Sequence, residues 1–311
     1  MENLSYKAWQ PLTKGASIDI IAPAGGCEWN TLDQVKTLLK NWGLKPRISS
    51  NLFGDDLLCA NTDEERFAQL KKALFNSESR AIWCLRGGYG CTRLIPELLK
   101  LKAPEANKLF IGFSDITALH LFLQQKWYWQ TLHGPSANQV AYESIDSACT
   151  NELKKIIFGE LKQLTFSLLP LNKITNFSTL IAPITGGTLT LIQTSLGTPW
   201  QIDAKNKILF FEEVNEPAYR IDRMLQHLQQ SGLFQQVKAI LFGDFTFTAK
   251  SSSHAPDHLI QFILKRFAKA QPFPVLNIPG IGHGKTNRSL PLGTKADIDL
   301  NKNQLTIKIT G

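Results

Sequence analysis

Little in this chain of 311 residues points towards a membrane, a secretory route or a nucleic acid. No apolar run approaches the length needed to cross a bilayer. The opening stretch MENLSYKAWQPLTKG lacks the apolar segment and small-residue cleavage site of a secretory signal, so none is expected. Cysteine is sparse and odd in number: Cys27, Cys59, Cys84, Cys91 and Cys149, with no C-x-x-C pair. That excludes a disulfide framework and the common paired-cysteine zinc or redox sites, and it reads as reduced structural thiols in the cytoplasm. Basic residues outnumber acidic ones, 34 to 26, for a net charge of +8, yet no run of Lys and Arg exceeds two. The excess is therefore read as a basic surface, not as a stripe that binds nucleic acid. There is no internal repeat and no low-complexity tract. What remains is a hydrophobic fraction of 43%, enough for a packed core, and a length suited to about two domains.

Apolar spacing then organises the chain. SIDIIAPAGG (17–26) reads as a buried strand running into a turn, and TLDQVKTLLKNWGL as an amphipathic helix stopped by Gly43. DEERFAQLKKALFN is a second helix, RAIWCLRGGYG a strand entering a glycine-rich turn, and KLFIGFSDITALHLFLQQKW a strand, a tight turn and a helix. Strands alternating with helices predict an α/β unit with a parallel sheet over residues 1–150. The pattern weakens after Cys149, and 151–180 is expected to be a linker, with FSLLPLNKITNFSTL irregular. Residues 181–311 resume as a second α/β domain. APITGGTLTLIQTSLGTPW is glycine-rich then helical, KILFFEEVNE a strand, YRIDRMLQHLQQSG a helix, and VKAILFGDF and PVLNIP strands. KADIDLNKNQLTIKI alternates as an antiparallel hairpin, so this second sheet is expected to be mixed.

Several segments carry candidate chemistry. PGIGHGKTNRSLPLG (279–293) contains Gly284-Lys285-Thr286, the second half of a phosphate-loop pattern. Pro279 stands where the first glycine belongs, and Pro291 and Gly293 forbid the helix whose N-terminus would hold the phosphate. The same loop presents His283 between two glycines after a buried strand, a good place for a general base. Ser114 sits between a strand and a helix in GFSDIT, like the serine of a nucleophile elbow, although Ile116 replaces that motif's second glycine. The plainer reading is that Ser114 or Asp115 caps the helix. The Asp115 amide and the RGGYG turn offer donors for an oxyanion. Glu212, Glu213 and Glu216 lie at the mouth of a strand. Adjacent strand residues face opposite ways, so one of Glu212 and Glu213 orients His283 and the other faces solvent or a cation. A solvated acidic loop is the plainer alternative. Competing readings are a metal hydrolase on His254 and His258, with Pro256 between them and no third ligand, and a cysteine nucleophile at Cys84 or Cys91, where an apolar setting favours inertness.

Taken in order, APAG, RGGYG, GFSDIT, ITGGTLTLI, FFEEVNEPAYRIDRML, AILFGDF and PGIGHG resemble the LD-carboxypeptidase family of serine peptidases, across nearly the whole chain. That family holds the muramoyl-tetrapeptide carboxypeptidases and the microcin C immunity peptidases. The resemblance implies a two-domain α/β fold with a Ser-Glu-His triad. Ser114 is then the nucleophile, His283 the base and Glu212 the acid, with Glu213 as fallback. The backbone amides of Gly88 and Asp115 form the oxyanion hole. It implies no cofactor or metal, a murein peptide as substrate with release of a C-terminal D-alanine, and it admits a homodimer. A carboxypeptidase must also recognise a free carboxylate, for which Arg86 is the candidate. A peptidase of aminoacyl or peptidyl nucleotides shares the same triad. It would want an aromatic stacking surface between the domains, where the chain offers only Phe158 and Phe166. A non-catalytic peptide-binding protein is the rival from another class.

Overall fold

The computed structural model describes residues 6–173, 178–247 and 257–309. Two compact units emerge. The first runs up to Lys162 and takes back Arg288–Gly293 and Ile309; the second comprises Gln163–Asn287 and Thr294–Lys308.

In the first unit, β1 (Ser17–Ile21), α1 (Asn30–Asn41), β2 (Lys45–Ile48), α2 (Asp63–Phe75), β3 (Ser79–Cys84), α3 (Cys91–Leu98), β4 (Leu109–Gly112), α4 (Thr117–Lys126) and β5 (Thr131–His133) alternate, followed by α5 (Ala137–Ala141) and α6 (Ser147–Ile157). The strands pair in the order β5-β4-β3-β1-β2, all parallel. β3 and β4 are almost wholly buried because helices cover both faces of a parallel sheet, so both strands read as continuous apolar runs. The chain leaves β1 towards β2 on one side and returns to β3 on the other. The order therefore reverses between β1 and β3, and the turns after these two strands flank a switch point, where open α/β sheets bind ligands.

The second unit carries β6 (Gln163–Ser167), β7 (Leu169–Pro170), β8 (Thr179–Thr188), α7 (Leu189–Ser195), β9 (Ile208–Val214), α8 (Ala218–Gln230), β10 (Ala239–Thr246), α9 (Asp257–Lys269) and β11 (Val275–Asn277). β12 (Leu290–Leu292) then joins the first sheet, antiparallel to β5, before the hairpin β13 (Lys295–Asp299) and β14 (Gln304–Lys308) completes the second. The second sheet has the order β6-β14-β13-β8-β9-β10-β11-β7, parallel from β8 to β11 and antiparallel at both flanks. The expected α/β architecture is what the structure has, with a first sheet that is parallel except at its β12 edge and a mixed second one.

Two local expectations change. The expected linker, 151–180, takes in most of α6 and all of β6 and β7; α6 buries Cys149, Leu153, Ile156 and Ile157 along one stripe. The glycine-rich start of ITGGTLTLI is the end of a ten-residue strand, β8. As expected, no helix follows Thr286; the three-residue strand β12 comes next. Among the described residues, no helix is long and apolar enough to cross a membrane, and no group of three or more His, Cys, Asp or Glu side chains is arranged to hold a metal. His254 lies outside the described residues. Cys84 and Cys91 are fully buried, and burial pushes both thiols well above their ordinary range, which disfavours the thiolate a nucleophile would need.

Candidate active site

Ser114 follows directly on Gly112 and Phe113 at the carboxyl end of β4 and opens a single 3₁₀ turn into α4. Its φ is +64°, in the left-handed region that a residue with a side chain enters at a cost. That is the backbone of a sharp elbow. The capping alternative does not describe it: the 3₁₀ turn has no side-chain cap. Asp115, only 5% exposed, turns its carboxylate to another helix and accepts the Cys91 N–H at 2.8 Å, at the first residue of α3. Burial raises the Asp115 pKa against the opposing pull of this bond.

The RGGYG turn lies against the serine. A side chain on Gly87 would start 2.7 Å from Ser114 Cβ and 2.9 Å from its Oγ. The Gly87 carbonyl accepts the Gly25 N–H at 3.1 Å, which docks APAG on RGGYG. Gly88 has φ +126°, and its amide donates to no backbone carbonyl among the described residues. Arg86 is exposed; its Nη1 donates to the Gly26 carbonyl at 2.9 Å. Ser114, Gly87, Gly88, Asp115 and Arg86 thus cluster at the carboxyl edge of the first sheet.

The second unit gathers the other candidates. Glu212 lies near the end of the central strand β9 with no exposed surface, and its Oε2 is 2.7 Å from His283 Nδ1. The β8–β9 register sets Thr188 opposite Glu212, and the Thr188 hydroxyl donates to Oε1 at 2.5 Å. Glu213, pointing the other way, has separate partners. It accepts the Thr190 N–H at 2.8 Å and the Thr190 hydroxyl at 2.7 Å, at the start of α7, and the Val214 N–H at 2.9 Å. The expectation of a solvated acidic loop is therefore corrected. Glu212 and Glu213 are both buried in the strand, and Glu213 meets a helix N-terminus where solvent or a cation was expected. Glu216, beyond the strand, pairs with Arg220 at 3.2 Å.

Charges follow this burial. Burial presses the His283 pKa down, but the charge and hydrogen bond of Glu212, with the Glu213 charge behind them, outweigh it and lift the pKa above the ordinary value. Burial first, and the neighbouring Glu212 charge second, push Glu213 up to about 7. The loop that carries His283 is pinned by groups that sequence reasoning missed. Asp244 accepts the Gly280 N–H at 3.1 Å and donates its own N–H to the Ile281 carbonyl at 2.8 Å; Asn287 Oδ1 accepts the Gly282 N–H at 3.4 Å. Only the polar end of AILFGDF hinted at Asp244. Thr188, inside a glycine-rich run, gave no signal at all. The structure thus brings His283 to Glu212 within the second unit, and the serine to the two glycines within the first. Of the two aromatics considered for nucleotide stacking, Phe166 is buried core and Phe158, at the end of α6, is half-buried.

Residues 18–134 match the LD-carboxypeptidase N-terminal domain, and residues 182–298 match the LD-carboxypeptidase C-terminal domain. A Rickettsia conorii protein named "Putative carboxypeptidase" is 43% identical over 289 residues, 92% of this chain and 88% of that one. A Bacillus subtilis protein named "Probable murein peptide carboxypeptidase" is 30% identical over 295 residues, 94% of this chain and 92% of that one. In fold, the crystal structure of an MccF-like protein from Bacillus anthracis matches with a TM-score of 0.84 at 22% identity, covering 98% of this chain and all of that one. By both of its matched domains and by its relatives over nearly its full length, this chain belongs to the LD-carboxypeptidase family.

Proposed function

We propose that this protein is a serine-type LD-carboxypeptidase that releases the C-terminal D-amino acid, D-alanine, from a murein tetrapeptide during cytoplasmic cell-wall recycling. The observation that carries the reading is the pair of half-buried His283 Nδ1 and fully buried Glu212 Oε2 at 2.7 Å. With Nδ1–H donating to Glu212, the Nε2 lone pair is the one left to take a proton. The murein assignment is supported by the Bacillus subtilis relative; the MccF-like neighbour, at 22% identity, lends its fold and no substrate.

In this reading residues 1–150 supply the nucleophile, 151–180 connect, and 181–311 supply acid and base. The reaction requires Ser114 Oγ to come within hydrogen-bond reach of His283 Nε2. The Oγ proton passes to Nε2 as Oγ bonds the carbonyl carbon of the L,D-amide. The resulting oxyanion rests on the Gly88 and Asp115 amides. The imidazolium, steadied by Glu212, gives its proton to the leaving nitrogen and the C–N bond breaks. Water then adds to the acyl-enzyme, its proton going to Nε2 and returning to Ser114 Oγ as the ester opens. Arg86, an exposed residue with Nη1 held by the Gly26 carbonyl, binds the terminal carboxylate of the substrate.

Incubation with the L,D-linked murein tetrapeptide tests the proposal. Free D-alanine is expected from the wild type and none from Ser114→Ala. Absence of D-alanine together with cleavage of a peptidyl nucleotide would move the substrate to the microcin class. Absence of both reactions, with no serine-directed phosphonate adduct, would leave a binding protein.

A further inference from the structure

Arg66, in the second turn of α2, is almost the last place to expect a cation: its side chain has no exposed surface. It is the meeting point of three loops. Nε donates to the Asn61 carbonyl at 3.0 Å, Nη2 to Asp63 Oδ1 at 2.5 Å, and Nη1 to the carbonyls of both Pro23 and Gly90, the latter at 3.1 Å. Pro23 belongs to APAG and Gly90 to RGGYG, the turns on either side of the switch point. Asp63 is also shared with Arg93, at 2.6 Å, so Arg66 does not have the carboxylate it pairs with to itself. A well-packed apolar residue often serves stability as well as a buried ion pair does. What an apolar residue lacks is a planar fork able to hold several carbonyls at fixed angles.

Both grips of that fork lead to the donors of the oxyanion hole. The Gly90 carbonyl belongs to the same peptide unit as the Cys91 N–H, and that N–H is bound by Asp115 at 2.8 Å. One flat, rigid peptide is thus held by Arg66 on one side and by the residue after Ser114 on the other. From Pro23 the chain runs two residues to Gly25, whose N–H holds the Gly87 carbonyl. The Gly87–Gly88 peptide is trans, so fixing that carbonyl also fixes the Gly88 N–H in the opposite direction.

We infer that Arg66 is a positioning residue for the oxyanion hole, setting the spacing and direction of the Gly88 and Asp115 amides through the Pro23 and Gly90 carbonyls. The inference rests on the serine-peptidase reading above. Lysine at this position has three donors on one point and cannot span the same carbonyls.

The test compares Arg66→Lys and Arg66→Met with Leu70→Ala, a buried change one turn later on the same helix that removes no hydrogen bond. For each, kcat and KM on the murein tetrapeptide, the rate of labelling by a fluorophosphonate and the thermal midpoint are measured. Both Arg66 variants are expected to lose about 10- to 100-fold in kcat and in labelling rate, with KM within about threefold, as a misdirected oxyanion donor predicts. Leu70→Ala is expected to keep kcat within about threefold even if its midpoint falls further. Arg66 variants with full kcat, or a Leu70→Ala loss that tracks its midpoint, overturn the inference. If neither Arg66 variant folds, Asp115→Ala releases the same peptide from its other end, and an unchanged kcat there overturns it equally. A wild type that neither releases D-alanine nor takes the label defeats the peptidase reading itself, and this role with it. An active wild type beside fully active variants defeats only the role of Arg66.

Discussion

His283 Nδ1 and Glu212 Oε2 stand 2.7 Å apart although 71 positions separate them in the chain. In the proposed reaction His283 must be neutral to accept a proton, and the Glu212 carboxylate favours its charged form, lifting the pKa above 6.5. The rate constant kcat/KM should therefore rise with pH along a limb whose inflection lies above 6.5. Glu212→Gln removes the charge and permits the wrong tautomer. It should move the inflection downwards and lower kcat/KM by about 10³- to 10⁴-fold. The same shift enters stability. The folded state holds this proton more tightly than the unfolded one, so the contribution is fully present below 6.5 and is lost as pH rises through the folded value. An inflection that stays put in Glu212→Gln would show that the pair does not govern the base.

Glu213 makes the opposite kind of prediction. Its carboxyl is raised from 4.5 to about 7, chiefly by burial and then by Glu212, so the folded state retains a proton that the unfolded chain gives up. Its contribution to stability is complete below 4.5 and disappears as pH passes through about 7. Urea midpoints of the wild type should fall across that interval, and Glu213→Gln should flatten the slope while leaving kcat within a few-fold. Loss of activity in Glu213→Gln, with activity kept in Glu212→Gln, would exchange their roles.

Ser114 carries its φ of +64° at a cost that a glycine would not bear. Ser114→Ala and Ser114→Gly should both be inactive, but they should differ in stability. Alanine keeps the left-handed strain, whereas glycine relieves about 1 kcal/mol of it and returns part through the greater freedom of its unfolded chain. The thermal midpoint of Ser114→Gly should exceed that of Ser114→Ala. The reverse order would mean that no such strain is stored at the elbow.

How much of this was legible depended on whether a signal was local. The helix α1 announced itself by apolar spacing and by Gly43, which indeed has φ +76°. The turn at Ser114 and the β13–β14 hairpin were legible for the same reason: neighbours in sequence decide them. Gly186 misled because its reason is tertiary. A Cβ there would lie 1.9 Å from the Phe210 carbonyl of β9, so glycine lets two strands meet where propensity suggests a loop. β12 spans three residues around a proline and exists only because β5 offers it an edge. The division between Glu212 and Glu213 needed the β8–β9 register, which brings Thr188 beside one carboxylate and leaves the other to α7. DEERFAQLKKALFN reads simply as a helix and does not single out Arg66; nothing in α2 foretells three loops meeting there.

Gly87 gives the sharpest steric test of the elbow. A methyl group at this position would sit 2.7 Å from Ser114 Cβ and 2.9 Å from Oγ, closer than side-chain atoms approach one another. The φ of Gly87 is not in the left-handed region, so Gly87→Ala adds a clash without adding backbone strain. Gly15, at φ +84° with nothing within 4 Å of its would-be Cβ, offers the reverse case: strain without a clash. Gly15→Ala should lower the thermal midpoint, by roughly 1 kcal/mol of stability, and leave fluorophosphonate labelling unchanged. In Gly87→Ala either the serine or the RGGYG turn must move. If the serine moves, its oxygen leaves the elbow; if the turn moves, the Gly88 amide leaves the oxyanion. Both outcomes should slow labelling at least about tenfold in a protein that remains folded. Normal labelling in Gly87→Ala would mean that neither Ser114 nor the turn beside it takes part in acylation.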